Sequence, residues 1–112
     1  MLIAERNLQY TTDDGSHLQV PVRLFAPEHT GHDWRCRYVI GWPNGKEESA
    51  AYGADAMQAL ILTLQVIGAR LYLSDYHKTG MLYFETPGSG YGFPVPMNAR
   101  DLLIGDDARF SG

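Results

Sequence analysis

The chain has 112 residues, 45% of them hydrophobic, and a net charge of −4. A single domain of this length buries well over half of its unfolded surface, so it needs no metal or disulfide to hold it, and Cys36 has no second cysteine to pair with. The acidic balance argues against general nucleic-acid binding. Polar residues interrupt every apolar run before about 18 residues, which argues against a membrane span, and the opening MLIAERNLQY lacks the basic start and apolar core of a signal peptide. The expectation is a cytoplasmic protein.

The first half reads as strands. Residues 4–10 put Ala4, Leu8 and Tyr10 on one side and Glu5, Asn7 and Gln9 on the other, with Arg6 breaking the alternation. Asp13-Asp14-Gly15-Ser16 is turn chemistry. Residues 17–27 follow as a strand with Val20, Val22, Leu24 and Ala26 in phase. Pro21 lacks an amide hydrogen, which predicts an edge position or a strand start. Residues 28–33 read as a loop. Trp34, Cys36, Tyr38, Ile40 and Trp42 alternate along residues 34–42, the clearest strand of the chain. Pro43-Asn44-Gly45-Lys46 is a turn, and residues 46–52 return as a fourth strand.

Residues 53–75 read as one long helix. Asp55 stands at the N-cap with Gln58 three residues on, the capping-box spacing. Met57, Leu60, Ile61, Leu64, Ile67, Gly68 and Leu71 follow helical spacing and form the expected core stripe. Gly68 could end the helix as a C′ glycine, but the stripe stays in phase through Leu71 and favours a helix running to about Asp75. A second stripe, Ala59, Leu62, Val66, Ala69 and Leu73, lies nearly opposite with spacings of three and four. It has three readings: a face buried inside the same domain, for example by the C-terminal tail; a surface for a second copy or another protein; or, least favoured, a solvent-exposed stripe.

After the helix, residues 77–80 connect to a short strand over 81–85. Residues 87–96 are too rich in Gly and Pro for regular structure, Asn98 can cap a helical turn over 98–103, and the last eight residues read as frayed. The expected fold is therefore α+β: a four- to five-stranded antiparallel sheet in the order β-β-β-β-α-β, with one long helix packed across one face. It occupies residues 1–97 as a single domain, with 98–112 as a partly ordered tail.

Trp34-x-Cys36-x-Tyr38 with Gly41, then Gly53-x-Asp55-x-x-Gln58-Ala59-Leu60, Leu82-x-Phe84 and Gly90-x-Gly92-x-Pro94, resemble a family of small bacterial domains of unknown function. The likeness covers about two-thirds of the chain. It implies a stand-alone bacterial cytoplasmic domain and brings no activity, cofactor or catalytic residue with it.

The chemistry-bearing groups are few. His29-x-x-His32 and Cys36 offer three zinc ligands, but Cys36 is in phase with the core residues Trp34 and Tyr38 and no fourth ligand is evident. Asp75 and His77 are near neighbours at the helix end, where His77 and Lys78 also suit the negative end of the dipole. Gly88-Ser89-Gly90-Tyr91-Gly92 matches no phosphate-binding fingerprint; Tyr91 and Phe93 could make that loop adhesive at an interface. Arg23, Arg35 and Arg37 fall on the sheet face away from the core, either as ion-paired surface charge or as an anion site. Three functions follow. The first is a non-enzymatic interaction domain, homodimeric or neutralising another bacterial protein such as a toxin, with interface residues Ala59, Leu62, Val66, Ala69, Leu73, Tyr91 and Phe93. The second is a binder of small anions through Arg23, Arg35 and Arg37. An enzyme or metal-binding protein using His77 or the histidine loop ranks last, because no catalytic set is complete. No cofactor and no membrane partner are expected.

Overall fold

A computed structural model describes residues 1–95 and 104. The strands are β1 (Leu2–Thr11), β2 (His17–Phe25), β3 (Glu28–His29), β4 (Trp34–Trp42), β5 (Gly45–Gly53) and β6 (Leu82–Tyr83); the helices are α1 (Ala56–Leu73) and the single turn α2 (Asp75–Lys78). All strand pairs are antiparallel. β5 pairs with β4 along its whole length, from Trp34↔Gly53 to Trp42↔Gly45. The other flank of β4 is shared by β2 and the two-residue β3. The sheet is therefore five strands wide, in the order β5-β4-β2-β1-β6, and with one main helix packed on it the fold is α+β.

The strand that alternates most cleanly, Trp34–Trp42, forms with those bounds. Residues 28–33 differ from the loop expectation. Glu28 and His29 pair with Arg35 and Trp34, closing a tight hairpin in which the Thr30 amide donates to the Asp33 carbonyl at 2.9 Å. Pro21 lies within a central strand, yet the missing amide hydrogen still matters. β2–β4 pairing stops at Val22↔Ile40, so from Pro21 back to His17 β2 pairs with β1 alone. The Pro21 ring occupies the space over Gly41, where a Cβ would come within 2.9 Å of its Cγ.

α1 is capped as its sequence dictates. Asp55 Oδ1 accepts from the Gln58 amide at 2.7 Å, and the Gln58 side chain reaches back to the Ala54 amide at 2.6 Å, one residue before the cap. The helix runs unbroken through Gly68 and ends at Ser74. Gly68 is required by packing, not by termination: a Cβ there would collide with the Pro94 carbonyl oxygen and approach Val95 Cγ1 to 3.0 Å. Among the described residues, α1 is the one helix long and apolar enough to cross a membrane by length and composition, a property its interspersed polar residues masked in the sequence. In this fold it lies against the sheet.

The buried face of α1 is rotated from the expected stripe. Ile67 and Leu71 are buried as expected, but Met57 is 66% exposed and Ile61 47%, whereas Ala59 and Thr63 are fully buried. The small side chains decide this. Ala59 and Thr63 let the helix axis approach β4 and β5 closely enough for Thr63 Oγ1 to donate to the Cys36 carbonyl at 2.9 Å. Larger residues at that contact line would hold the helix off, so Met57 and Ile61 turn to the flank. Beneath α1 the inner sheet face supplies Leu8, Val20, Val22, Leu24, Cys36, Tyr38 and Ile40. The segment after β6 closes the core with Tyr91 and Val95. Residues 98–103, expected to form a capped turn, lie outside the described residues, as does the remainder of the 98–112 tail apart from Ile104, whose amide donates to Tyr72 Oη at 3.3 Å.

Candidate functional site

The helix covers one face of the sheet, and among the described residues the other is bare. Arg23, Arg35 and Arg37 stand on the bare face, with Arg23 opposite Val39 and Arg37 beside it on β4. Each is ion-paired. Arg23 Nε donates to Glu5 at 2.5 Å; Arg35 Nη2 and Arg37 Nε share one oxygen of Glu28, at 2.8 and 3.2 Å. The Arg35 hydrogen bond is the main reason the Glu28 carboxyl is held below its usual range. Arg37 also lies over the Phe25 ring, 5.1 Å from its centroid. Between β4 and β5, Arg35 and Arg37 line a shallow basin of about 410 Å³ with Phe25, Glu48, Ala50 and Tyr52. The Arg35 Nε atom is buried without a hydrogen-bond partner among the described residues. Glu28 thus shows what the pair of guanidiniums accepts: a single carboxylate oxygen held between two cationic donors.

β5 borders the basin and forms the edge of the sheet. It is paired only with β4 among the described residues, so one side of its nine-residue backbone faces outward. Above it runs α1, tied to the strand by Arg70, which donates to the Glu47 carboxylate through Nε at 2.9 Å and Nη2 at 3.3 Å. Arg70 fixes which flank of the helix overlooks the β5 edge. By helical phase, Leu62, Val66, Ala69 and Leu73 lie on that side. Leu62, Val66 and Ala69 are half-buried and Leu73 is 57% exposed.

Two residues assigned to an interface by sequence are not on the surface. Ala59 is fully buried at the helix–sheet contact. Tyr91 is 1% exposed, packed against Tyr72 at 5.0 Å between centroids and hydrogen-bonded through its hydroxyl to His77 Nδ1. Phe93 is half-buried over Arg6. The glycine-rich segment is folded onto the domain because a tyrosine that large stabilises more as core than as an exposed ring.

The remaining chemical candidates disperse. Cys36 is buried, and its Sγ donates to the Phe25 carbonyl at 3.2 Å. His29 Nδ1 accepts from the Gly31 amide at 3.2 Å, and its ring sits edge-on to Trp34. Among the described residues, no three His, Cys, Asp or Glu side chains converge to hold a metal ion. Asp75 points to solvent and is 3.6 Å from Lys78, while His77 turns inward to Tyr91. The inward turn, not the helix dipole, sets the chemistry of His77, and burial lowers its pKa.

Two arrangements escaped the sequence reading. Glu47 accepts from Tyr38 Oη at 2.7 Å and Trp42 Nε1 at 3.1 Å as well as from Arg70. Burial pushes its carboxyl up, and the three donors more than offset this, so it stays below the usual range. The cross-strand pair Ile40↔Glu47 places that carboxylate on the core side. The signal was the alternation itself, once register is known. Arg6 lies between the rings of Phe84 and Phe93, at 4.5 and 5.1 Å, and donates to the Tyr91 carbonyl at 2.9 Å. It is the residue that broke the alternation of β1, and it fastens the glycine-rich segment.

The model of a protein family described as Domain of unknown function (DUF6968) matches residues 4–95. The match spans most of the chain, which therefore belongs to that family. No curated protein and no solved structure matches.

Proposed function

We propose that this DUF6968 domain is a non-enzymatic protein-interaction module that acts as a homodimer, joined through the β5 edge and the neighbouring flank of α1. One observation carries the reading: the edge of Gly45–Gly53, unpaired among the described residues, lies beneath the helix flank that bears Leu62, Ala69 and Leu73. An edge strand supplies directional hydrogen bonds, each contributing about 0.5–1.5 kcal/mol net, and an adjoining apolar flank supplies area. A strand alone falls short of the roughly 1,200 Å² that a stable interface buries. A bacterial cytoplasm suits the reading, since a lone buried thiol needs no oxidising compartment.

Sedimentation tests this directly. The wild type is expected to sediment as a dimer, and Leu62→Glu and Leu73→Glu as folded monomers with unchanged far-ultraviolet circular dichroism. A wild type that stays monomeric at the highest reachable concentration overturns the reading. Unfolding by Leu62→Glu would assign that residue to the core and leave Leu73→Glu as the deciding variant.

A second reading rests on Arg35, which lines the basin and whose buried Nε has no partner among the described residues. A carboxylate- or phosphate-bearing ligand would take the place Glu28 holds between Arg35 and Arg37, with Arg23 adjacent. Citrate or phosphate should then raise the unfolding temperature of the wild type and not of Arg35→Ala. Equal shifts in both proteins would count against it.

A further inference from the structure

The β5 strand, Gly45-Lys46-Glu47-Glu48-Ser49-Ala50-Ala51-Tyr52-Gly53, has its charges in one half and its small side chains in the other. We infer that two copies of this chain pair their β5 strands antiparallel about Ser49, with Arg37 of each copy meeting Glu48 of the other. The inference rests on the self-association reading and specifies its register.

Directly opposed residues of an antiparallel pair share a face, so a continuous sheet with both helices on one side must be centred on a residue. Centring on Glu47 or Glu48 sets like carboxylates directly opposite each other, which is destabilising. Centring on Ala50 leaves Gly45 and Lys46 without strand partners. Centring on Ser49 pairs Gly45 with Gly53, Lys46 with Tyr52, Glu47 with Ala51 and Glu48 with Ala50. It engages the whole strand and sets every charged side chain against an uncharged one.

That register also satisfies the outer row. Within one chain Arg37 stands opposite Ala50. Glu48 of the second copy would arrive on the far side of Ala50, in the same row and two strand spacings from Arg37, roughly 10 Å between backbones. A guanidinium and a carboxylate extended towards each other span that distance, and the Ala50 methyl leaves the path open. Arg37 reaches Glu28 through Nε at 3.2 Å, and a guanidinium carries five donors. Glu48, whose Oε1 lies 2.7 Å from Lys46 Nζ of its own chain, would be shared between that lysine and Arg37 of the other copy. On the inner row Ser49 meets Ser49, where two small side chains let the helices draw together.

Mixing distinguishes pairing between chains from pairing within one. Arg37→Glu and Glu48→Arg each turn both inter-chain contacts into like-charge pairs, so each variant alone should be monomeric. An equimolar mixture restores both contacts and should associate at least roughly tenfold more tightly than either variant with itself. Ser49→Cys, in the wild-type background, should form an inter-chain disulfide on mild oxidation. A wild-type dimer whose variants gain nothing on mixing, and whose Ser49→Cys form does not cross-link, overturns this register while leaving self-association through another surface. A monomeric wild type overturns both. If the charge variants fail to fold, the Ser49→Cys cross-link decides.

Discussion

Arg70 on α1 and Glu47 on β5 form a two-pronged ion pair that pins the helix to the sheet edge, Nε to Oε2 at 2.9 Å and Nη2 to Oε1 at 3.3 Å. Tyr38 and Trp42 complete the carboxylate's hydrogen bonding from below, and Glu47 is only 20% exposed. Breaking a fully buried pair from one side costs about 3–5 kcal/mol. Arg70 is about half exposed, so solvent screening reduces the expected loss for Arg70→Met to about 1–2 kcal/mol. Urea unfolding at neutral pH measures it. Because the folded-state pKa of Glu47 is depressed, its contribution is present above the unfolded value of 4.5 and is lost as pH falls through the folded value. Glu47→Gln should therefore flatten part of the acid limb of the stability profile. An acid limb identical to that of the wild type would show that Glu47 is not one of its sources.

Gly68→Ala sets two effects of opposite sign against each other. Helix propensity favours alanine by about 1 kcal/mol. The added Cβ, however, meets the Pro94 carbonyl oxygen, which is backbone and cannot swing aside as a side chain would, and comes within 3.0 Å of Val95 Cγ1. Overpacking of this kind costs about 1–3 kcal/mol. The expected outcome is net destabilisation, with faster proteolysis in the segment that carries Tyr91 and Val95. A gain in unfolding temperature would mean that the segment does not cross the helix at Gly68.

Cys36 should be inert until the domain opens. Its side chain is fully buried, and burial raises the thiol pKa above its ordinary value. The thiolate, which is the reactive form, is then scarce as well as shielded. Reaction with an aromatic disulfide reagent should follow the opening rate of the domain and accelerate with urea. Rapid stoichiometric labelling of the native protein would contradict the packing of β4 against α1.

How much of this was legible depended on whether local pattern or tertiary register decided the outcome. Asp55 and Gln58 act within one turn, so the helix start could be read directly, and Trp34–Trp42 alternates strongly enough to fix its own faces. The helix rotation could not be read in the same way. Met57 and Ile61 look like core by hydropathy, but Ala59 and Thr63 win the contact because they are small, and the value of smallness depends on what lies opposite. Glu47 and Arg6 carry charge at inward-facing positions, where sequence alone reads a broken pattern. Their partners, Arg70 and the rings of Phe84 and Phe93, are distant in the chain. Arg23, Arg35 and Arg37 could be placed on one face by alternation, whereas Glu28 between two of them required the short β3 pairing that composition did not announce.

His77 gives the domain a mild acid sensitivity near neutrality. Its ring packs edge-on to Tyr72 at 4.9 Å and to Tyr91 at 5.5 Å, and Nδ1 is hydrogen-bonded to the Tyr91 hydroxyl. Burial disfavours the imidazolium and lowers the pKa from 6.5. The unfolded chain therefore binds a proton more readily than the folded one, so stability rises with pH in this range. The contribution is fully present above the unfolded value and is lost as pH falls through the folded value. Replacement by Phe keeps the aromatic packing and removes the titration. His77→Phe should thus lose the part of the stability slope that begins just below pH 6.5, while retaining most of the stability above it, less about 1 kcal/mol for the hydrogen bond to Tyr91. Chemical unfolding at a series of pH values, read by tyrosine and tryptophan fluorescence, measures both. A slope unchanged in His77→Phe would mean that the imidazole is solvated in the folded protein and that the Tyr72–His77–Tyr91 contact does not persist in solution.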